Sequence, residues 1–306
     1  MTRAFLIMGP TASGKSALAL ALAERLGGEI VNADSMQVYR DFRVLTARPS
    51  LEEEASAPHH LYGYVDATAP YSTGRWLADA LAAIAAIRAR GATPILVGGT
   101  GLYFNALTKG LADIPAADPE VRAALRERAE AEGAPVLHAE LAARDPQTAA
   151  RLTPNDTPRI IRALEVLETT GESISVLQAD TKPALAREDW AGIALTPDRE
   201  RLYTSINERF DAMIENGALE EVRAFAARNP DPALPAMKAH GNPALAAHLR
   251  GELSLEDATE VGKRDTRRYA KRQFTWIANQ MPDWPRIAEV DWAQRVSAAL
   301  SVASSK

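Results

Sequence analysis

Residues Gly9-Pro10-Thr11-Ala12-Ser13-Gly14-Lys15-Ser16 set two glycines around four residues and follow them with lysine and serine. No other stretch restricts the fold as strongly. A loop of this kind turns its backbone N–H groups onto an anion at a helix N-terminus, so it needs a strand before it and a helix after it. The flanks meet that demand: "RAFLIM" (3–8) is an apolar run of strand length, and "SALALALAERLGG" (16–28) is an amphipathic stretch ending at glycine. In that setting Lys15 adds a mobile positive charge and the Ser16 hydroxyl is placed to ligate Mg2+. The pattern does not say to what molecule the phosphate belongs.

Strand and helix signals then alternate. "GEIVNADSMQVY" (28–39) is an apolar strand that stops at Asp34, and "GRWLADALAAIAAIRARG" (74–91) is a long helix. "TPILVGGTGLYFNAL" (93–107) is an apolar strand turning through glycines into a helix. Alternation of this sort predicts an α/β fold, a parallel sheet of the P-loop NTPase type flanked by helices. From 118 to about 178 the strand signal vanishes, and short helices are joined at Pro, Gly or Asn-Asp. "AGIALTPDRERLYTSINERFDAMIENG" (191–217) returns to strand and helix. The expectation is a core in two parts, 1–117 and 191–306, with an all-helical subdomain inserted at 118–190.

The chain has 306 residues, enough for a sizeable core, and no cysteine, which excludes disulfides and thiolate metal sites. Its first residues show no basic region leading into an apolar stretch and cleavage site, and no apolar run reaches the ~20 residues of a membrane span. A cytoplasmic protein without membrane contact is expected. A formal charge of -5 speaks weakly against nucleic acid, but phosphates respond to local clustering rather than to the sum.

Several positions carry chemistry. Asp34 ends the strand next in sequence after the loop, where ligands of open α/β sheets bind. It suits a turn cap, a Mg2+ ligand or a general base. Gln37 offers an amide that can pair with an adenine edge. Gly98 and Gly99 permit close backbone approach, and Thr100 sets a hydroxyl at the same sheet edge, as a helix cap or as a ligand group. His59 and His60 lack a third ligand at metal-site spacing, so packing or hydrogen bonding is their expected role. In "GKRDTRRYAKRQFTW" (262–276), Lys263, Arg267 and Lys271 recur every fourth residue, as do Arg264, Arg268 and Arg272. On a helix these form two basic stripes with aromatics interleaved, a pattern suited to phosphate contact. Arg159 and Arg162 form a second basic set in the inserted region.

"GPTASGKS", "NADSMQVY", "APHHL", "PILVGGTGLYFNAL", "NDTPRIIRALEV", "ERFDAMIENG" and "KRQFTW", in this order and at these intervals, resemble the tRNA dimethylallyltransferase family from the first strand to about Trp276. That family transfers a dimethylallyl group from dimethylallyl diphosphate to N6 of the adenosine 3' of the anticodon, position 37 of tRNA. The resemblance implies that the loop, Gly9, Pro10, Thr11, Ala12, Ser13, Gly14, Lys15 and Ser16, holds the diphosphate of a prenyl donor with Mg2+ on Ser16 and without ATP hydrolysis. Asp34 is implied as the base for the amine, with Thr100 holding amine and leaving group together and Arg209 adding charge at the diphosphate. The implied tRNA contacts fall on Asp34, Ser35, Met36, Gln37 and Thr100, on Arg122, and on Pro158, Arg159, Ile160, Ile161 and Arg162, with Lys271 and Arg272 joining them. A monomer that clamps the anticodon stem-loop and extrudes its target base fits this picture.

The chain departs from the family at "AHGNPAL" (239–245), which keeps Gly241 but lacks the usual aromatic and basic residues. A P-loop small-molecule kinase, and a prenyltransferase acting on free adenine nucleotides, would share the loop and Asp34. ATP use would mark the first, and the basic helix argues against the second.

Overall fold

The computed structural model describes residues 2–115, 118–179 and 181–305. Six parallel strands form one sheet: β1 (Ala4–Met8), β2 (Gly28–Asn32), β3 (His59–His60), β4 (Thr93–Gly98), β5 (Trp190–Leu195) and β6 (Arg286–Ile287). Their order is β3-β2-β4-β1-β5-β6. Parallel strands covered on both faces should be apolar throughout, and β1, β2 and β5 are buried at every residue.

Alternation along β1 divides the core. Ala4, Leu6 and Met8 face one apolar cluster, and Phe5 and Ile7 the other. The second cluster is covered by α1 (Lys15–Leu26), through Leu18 and Leu22. After α2 (Leu51–Ser56), the first cluster is covered by α3 (Thr73–Ala89) and α4 (Gly101–Thr108), which contribute Trp76, Ile84, Tyr103 and Phe104. Trp76 stacks on Tyr103 with centroids 4.0 Å apart, and its indole N–H donates to the Asn32 carbonyl at 2.9 Å, so this packing also anchors the end of β2.

The chain divides into two compact units, Met1–Thr108 with Ala184–Lys306, and Lys109–Pro183. The helical unit holds α5 (Pro119–Glu132), α6 (Ala134–Arg144), α7 (Pro146–Ala149), α8 (Thr157–Thr170) and α9 (Ile174–Ala179) around Leu125, Leu137, Leu141, Ile160 and Leu164. The expected boundary after 117 lies outside the described residues. At the other end, residues 184–190 stand with the sheet unit: the Ala184 and Leu185 N–H groups both donate to the Leu107 carbonyl, and Leu185 is buried in the sheet unit's core.

The remainder of the sheet unit comprises α10 (Arg199–Glu215), α11 (Ala218–Ala226), α12 (Asn242–Leu249), α13 (Leu255–Gln280) and α14 (Trp292–Ser304). α13 lies so close to α10 that a Cβ on Gly262 would fall 2.1 Å from the Phe210 ring. The two strands not anticipated, β3 and β6, are two residues each and carry no period to read. His60 of β3 sets Nε2 at 2.7 Å from a Glu29 carboxylate that also accepts from Arg90, a structural ion cluster.

Candidate active site

Three strand ends build the site. β1 runs into the loop, β2 into Asp34 and β4 into Thr100, side by side at the carboxyl edge of the sheet. The junction is tight. A Cβ on Gly98 would lie 2.0 Å from the Ala33 carbonyl oxygen, and one on Gly99 would lie 2.1 Å from Gln273 Nε2. Two glycines are therefore needed for β2, β4 and α13 to meet here.

Asp34 is held by its neighbours. The buried Asn32 accepts from the Asp34 N–H through Oδ1 at 2.8 Å and donates through Nδ2 to the Asp34 and Leu61 carbonyls, each at 3.0 Å. Asp34 Oδ1 accepts from the Met36 N–H at 2.9 Å. The Thr100 hydroxyl accepts from the Ser35 N–H at 2.9 Å and donates to Ser35 Oγ at 3.2 Å, so Thr100 and the Asp34 segment form one bonded unit.

Ala12 to Ala17 line a cleft of about 390 Å³ together with Arg48, Ser205 and Arg209, a size within the range of small-molecule sites. Ala12 has φ 62° and Gly14 φ 79°, left-handed geometry that bends the loop into a concave set of N–H groups. Burial lowers the Lys15 pKa from 10.5 to about 8, with Asp34 pulling it back up and Arg209 lowering it. Arg209 is likewise depressed by burial, from 12.5 to about 10, against the opposing pull of Asp34, and its guanidinium donates to the Thr11 hydroxyl.

A second cavity shares Arg209 with the first. Asp34, Thr11 and Arg209 mark its polar side, while Met36, Leu45, Ile206, Phe210 and Met213 give it apolar walls. His240, from the divergent "AHGNPAL" loop, also lines it, packed on the Tyr269 ring with centroids 4.3 Å apart. Burial lowers the His240 pKa below its ordinary value, and the nearby Arg272 charge lowers it further. Most of that loop turns inward, Pro243 excepted: Asn242 is buried, its Nδ2 donating to the Met237 carbonyl at 3.1 Å.

Asp34, Ser35, Met36, Thr100 and Arg209 thus gather around the loop. The Gln37 amide is spent differently, with Nε2 donating to the Thr46 and Ala47 carbonyls at 2.9 and 2.8 Å. Within the helical unit, Pro158 and Arg159 are exposed and Ile161 is half-buried, but Ile160 is fully buried in that unit's core, so its side chain serves packing. Arg122 Nε lies 2.8 Å and Arg162 Nη1 3.3 Å from the buried Glu165 carboxylate, and Arg159 pairs with Asp156 at 2.6 Å.

The basic helix also needs revision. Lys263 pairs with Asp211 at 2.8 Å and Arg267 donates to Asn207, so both reach α10 rather than forming an outward stripe with Lys271. Lys271 and Arg272 are exposed, Arg272 lying 5.5 Å from the Tyr269 centroid.

Two groups escaped the sequence reading. Gln273 accepts from the Thr11 N–H at 2.9 Å and donates to the Gly99 carbonyl at 2.8 Å, bridging the loop and the end of β4. Arg48, whose side chain is 7% exposed, reaches the cleft with a buried Nε that has no partner among the described residues. The first shows in sequence only as an inward position on α13, and the second as an ordinary basic residue near a proline.

A parallel sheet whose carboxyl edge carries a phosphate loop, a fixed carboxylate and a hydroxyl defines a P-loop enzyme that handles a phosphorylated substrate. Residues 37–280 match the model of the IPP transferase family, and residues 2–62 that of isopentenyl transferases. The chain is 56% identical to a tRNA dimethylallyltransferase of a Bradyrhizobium species, over 95% of this chain and 94% of that protein. Among solved structures it is similar to the tRNA isopentenylpyrophosphate transferase of Bacillus halodurans, with 35% identity, a TM-score of 0.70, and 99% and 98% of the two chains covered. It is also similar to a eukaryotic dimethylallyltransferase acting on tRNA, with 30% identity, a TM-score of 0.79, and 96% and 75% covered. The chain belongs to the tRNA dimethylallyltransferase, or IPP transferase, family.

Proposed function

We propose that this enzyme transfers a dimethylallyl group from dimethylallyl diphosphate to N6 of the adenosine 3' of the anticodon, position 37 of tRNA, and releases diphosphate. One observation carries the reading: the phosphate cleft shares Arg209 with a second cavity that sets Asp34, Thr11 and Arg209 against apolar walls from Met36, Leu45, Ile206, Phe210 and Met213. Such a pair suits a substrate with a charged end and a hydrocarbon end.

The exocyclic amine of adenine is a weak nucleophile and must lose a proton as it attacks. Asp34, its backbone fixed by Asn32, receives that proton while the new N–C bond forms and the allylic C–O bond breaks toward the diphosphate. Negative charge then grows on the departing oxygens, where Lys15, Arg209 and the loop N–H groups are already in place. Thr100 holds the Asp34 segment in register with this edge.

Among the described residues no three His, Cys, Asp or Glu side chains converge on a metal position, and Ser16 is exposed at the cleft. This donor set fits Mg2+, which keeps several waters and binds through substrate phosphates plus one or two protein oxygens. When bound, Mg2+ would neutralise leaving-group charge beside Ser16.

Arg159 and Arg162 of the helical unit, and Lys271 and Arg272 of α13, supply phosphate contacts for the anticodon stem-loop, and the helical unit serves as an RNA-contacting subdomain. The target adenine leaves its stack to reach Asp34. No helix among the described residues is long and apolar enough to cross a membrane. A cytoplasmic monomer is part of the proposal, in keeping with a tRNA substrate.

The test is transfer of labelled dimethylallyl to an anticodon stem-loop bearing adenosine 3' of the anticodon, compared with AMP and with the same stem-loop held in a full duplex. Only the free stem-loop should be modified, and without ATP consumption. Efficient labelling of AMP would move the assignment to nucleotide prenyltransferases, and ATP-dependent phosphorylation of an acceptor would move it to kinases.

A further inference from the structure

Arg295 of α14 takes no part in the chemistry above, yet its guanidinium reaches the phosphate loop. Nε and Nη2 donate to the Glu289 carbonyl at 3.0 and 2.7 Å, and Nη1 donates to the Ser13 carbonyl at 3.2 Å. Two bonds on one side of the planar fork fix its orientation and deliver the third donor to the loop.

The consequence follows from peptide geometry. In a trans peptide the carbonyl and the next N–H point to opposite sides. Fixing the Ser13 carbonyl on Arg295 therefore turns the Gly14 N–H away from Arg295. Among the described residues no acceptor in the chain takes that N–H, and Gly14 lines the cleft. Gly14 itself is at φ +79°, and a Cβ there would lie 3.0 Å from Arg295 Nη1. The arginine thus occupies the space that a side chain at 14 would need.

We propose that Arg295 is a positioning residue for the diphosphate: it orients the Ser13–Gly14 peptide so that its N–H serves the anion, and it adds a fixed positive charge behind the loop. The proposal rests on the reading that the loop binds the diphosphate of the donor.

The test is calorimetric titration of inorganic diphosphate with Mg2+ into wild type, R295A and R295K, alongside steady-state kinetics with both substrates. Loss of one charge-assisted contact should weaken diphosphate binding in R295A about tenfold and raise KM for dimethylallyl diphosphate to match. KM for tRNA should stay within about twofold, and R295K, which keeps a donor and the charge, should recover most of the lost affinity. Melting curves without ligand establish that the variants are folded. If R295A does not fold, R295K and R295Q decide the matter, the glutamine keeping a donor while losing the charge and so binding diphosphate more weakly than the lysine.

An R295A protein with wild-type diphosphate affinity overturns the proposal alone. So does a variant that loses diphosphate and tRNA equally, since that marks a purely structural residue. Wild-type protein that takes up no diphosphate overturns the reading of the loop and this proposal with it.

Discussion

Lys15 and Arg209 in the cleft, and Arg122, Arg159 and Arg162 in the helical unit, are cations kept in opposite ways. The first pair is desolvated and, among the described residues, has no carboxylate within ion-pair distance. Lys15 Nζ reaches only the Pro10 carbonyl, at 3.4 Å, and Arg209 the Thr11 hydroxyl. The three arginines of the helical unit all rest on Glu165 or Asp156. A cation held partly out of water without a carboxylate partner is costly, and burial accordingly depresses the pKa of both Lys15 and Arg209. Charge held ready at such expense suits an anion whose charge grows during reaction. Charge stored on carboxylates suits a partner that must dock, compete and leave.

The largest break in this contrast is Lys15→Ala, which should lower diphosphate affinity ~100-fold or more, as loss of a preorganised donor does, while tRNA affinity stays within a few fold. A folded variant that loses tRNA binding would merge the two regions into one. The same lysine gives a pH signature with two signs. Its folded pKa of about 8 lies below its ordinary 10.5. Above pH 8 the free enzyme sheds the charge, so KM for dimethylallyl diphosphate should rise by up to tenfold per unit. Over the same window, from about 8 to 10.5, the unfolded chain binds the extra proton, so stability should rise with pH. Measuring KM and melting temperature across that range in wild type and Lys15→Ala tests both, because the variant should show neither trend from this group.

Asp34→Asn comes next. Asparagine retains the Oδ1 acceptor used by the Met36 N–H, so the turn should survive and both substrates should bind. Turnover should fall ~100-fold or more, the usual scale for a positioned acid-base group. Single-turnover rates near those of wild type would remove Asp34 from the proton transfer.

The smallest effects separate the exposed helix from the paired arginines. Lys271→Ala with Arg272→Ala should weaken every tRNA and reduce the salt slope of binding by about two contacts. Arg159→Ala should reduce it by less than one, because Asp156 must be uncovered before Arg159 can meet a phosphate. Equal slopes for the two variants would erase the distinction between free and stored charge.

How far the site was readable depends on how local each signal is. The loop, Asp34 and Thr100 sit at strand ends beside runs whose period is plain, and their grouping follows from the sheet alone. Gln273 reaches Thr11 across 262 positions, and Arg295 reaches Ser13 across 282, so only the tertiary fold makes them part of the loop. Periodicity shows that Lys263 and Arg267 share a face with Lys271, but not that Asp211 and Asn207 wait on α10 to receive them. Ile160 is the reverse case, an apolar residue inside a functional motif whose burial is what apolar character most simply implies.

Helix α13 sets Gln273 inward against the loop and Arg272, its neighbour in sequence, outward to solvent. Each residue advances a helix by about 100°, so adding or deleting a single residue between Gly262 and Gln273 would swing every later side chain to a different heading. Gln273 would leave the Thr11 N–H, and the outward cations would turn toward the sheet. Helix α13 therefore accepts substitution on its exposed face more readily than a change of length, whereas exposed joints such as that around Pro230 leave room for insertion.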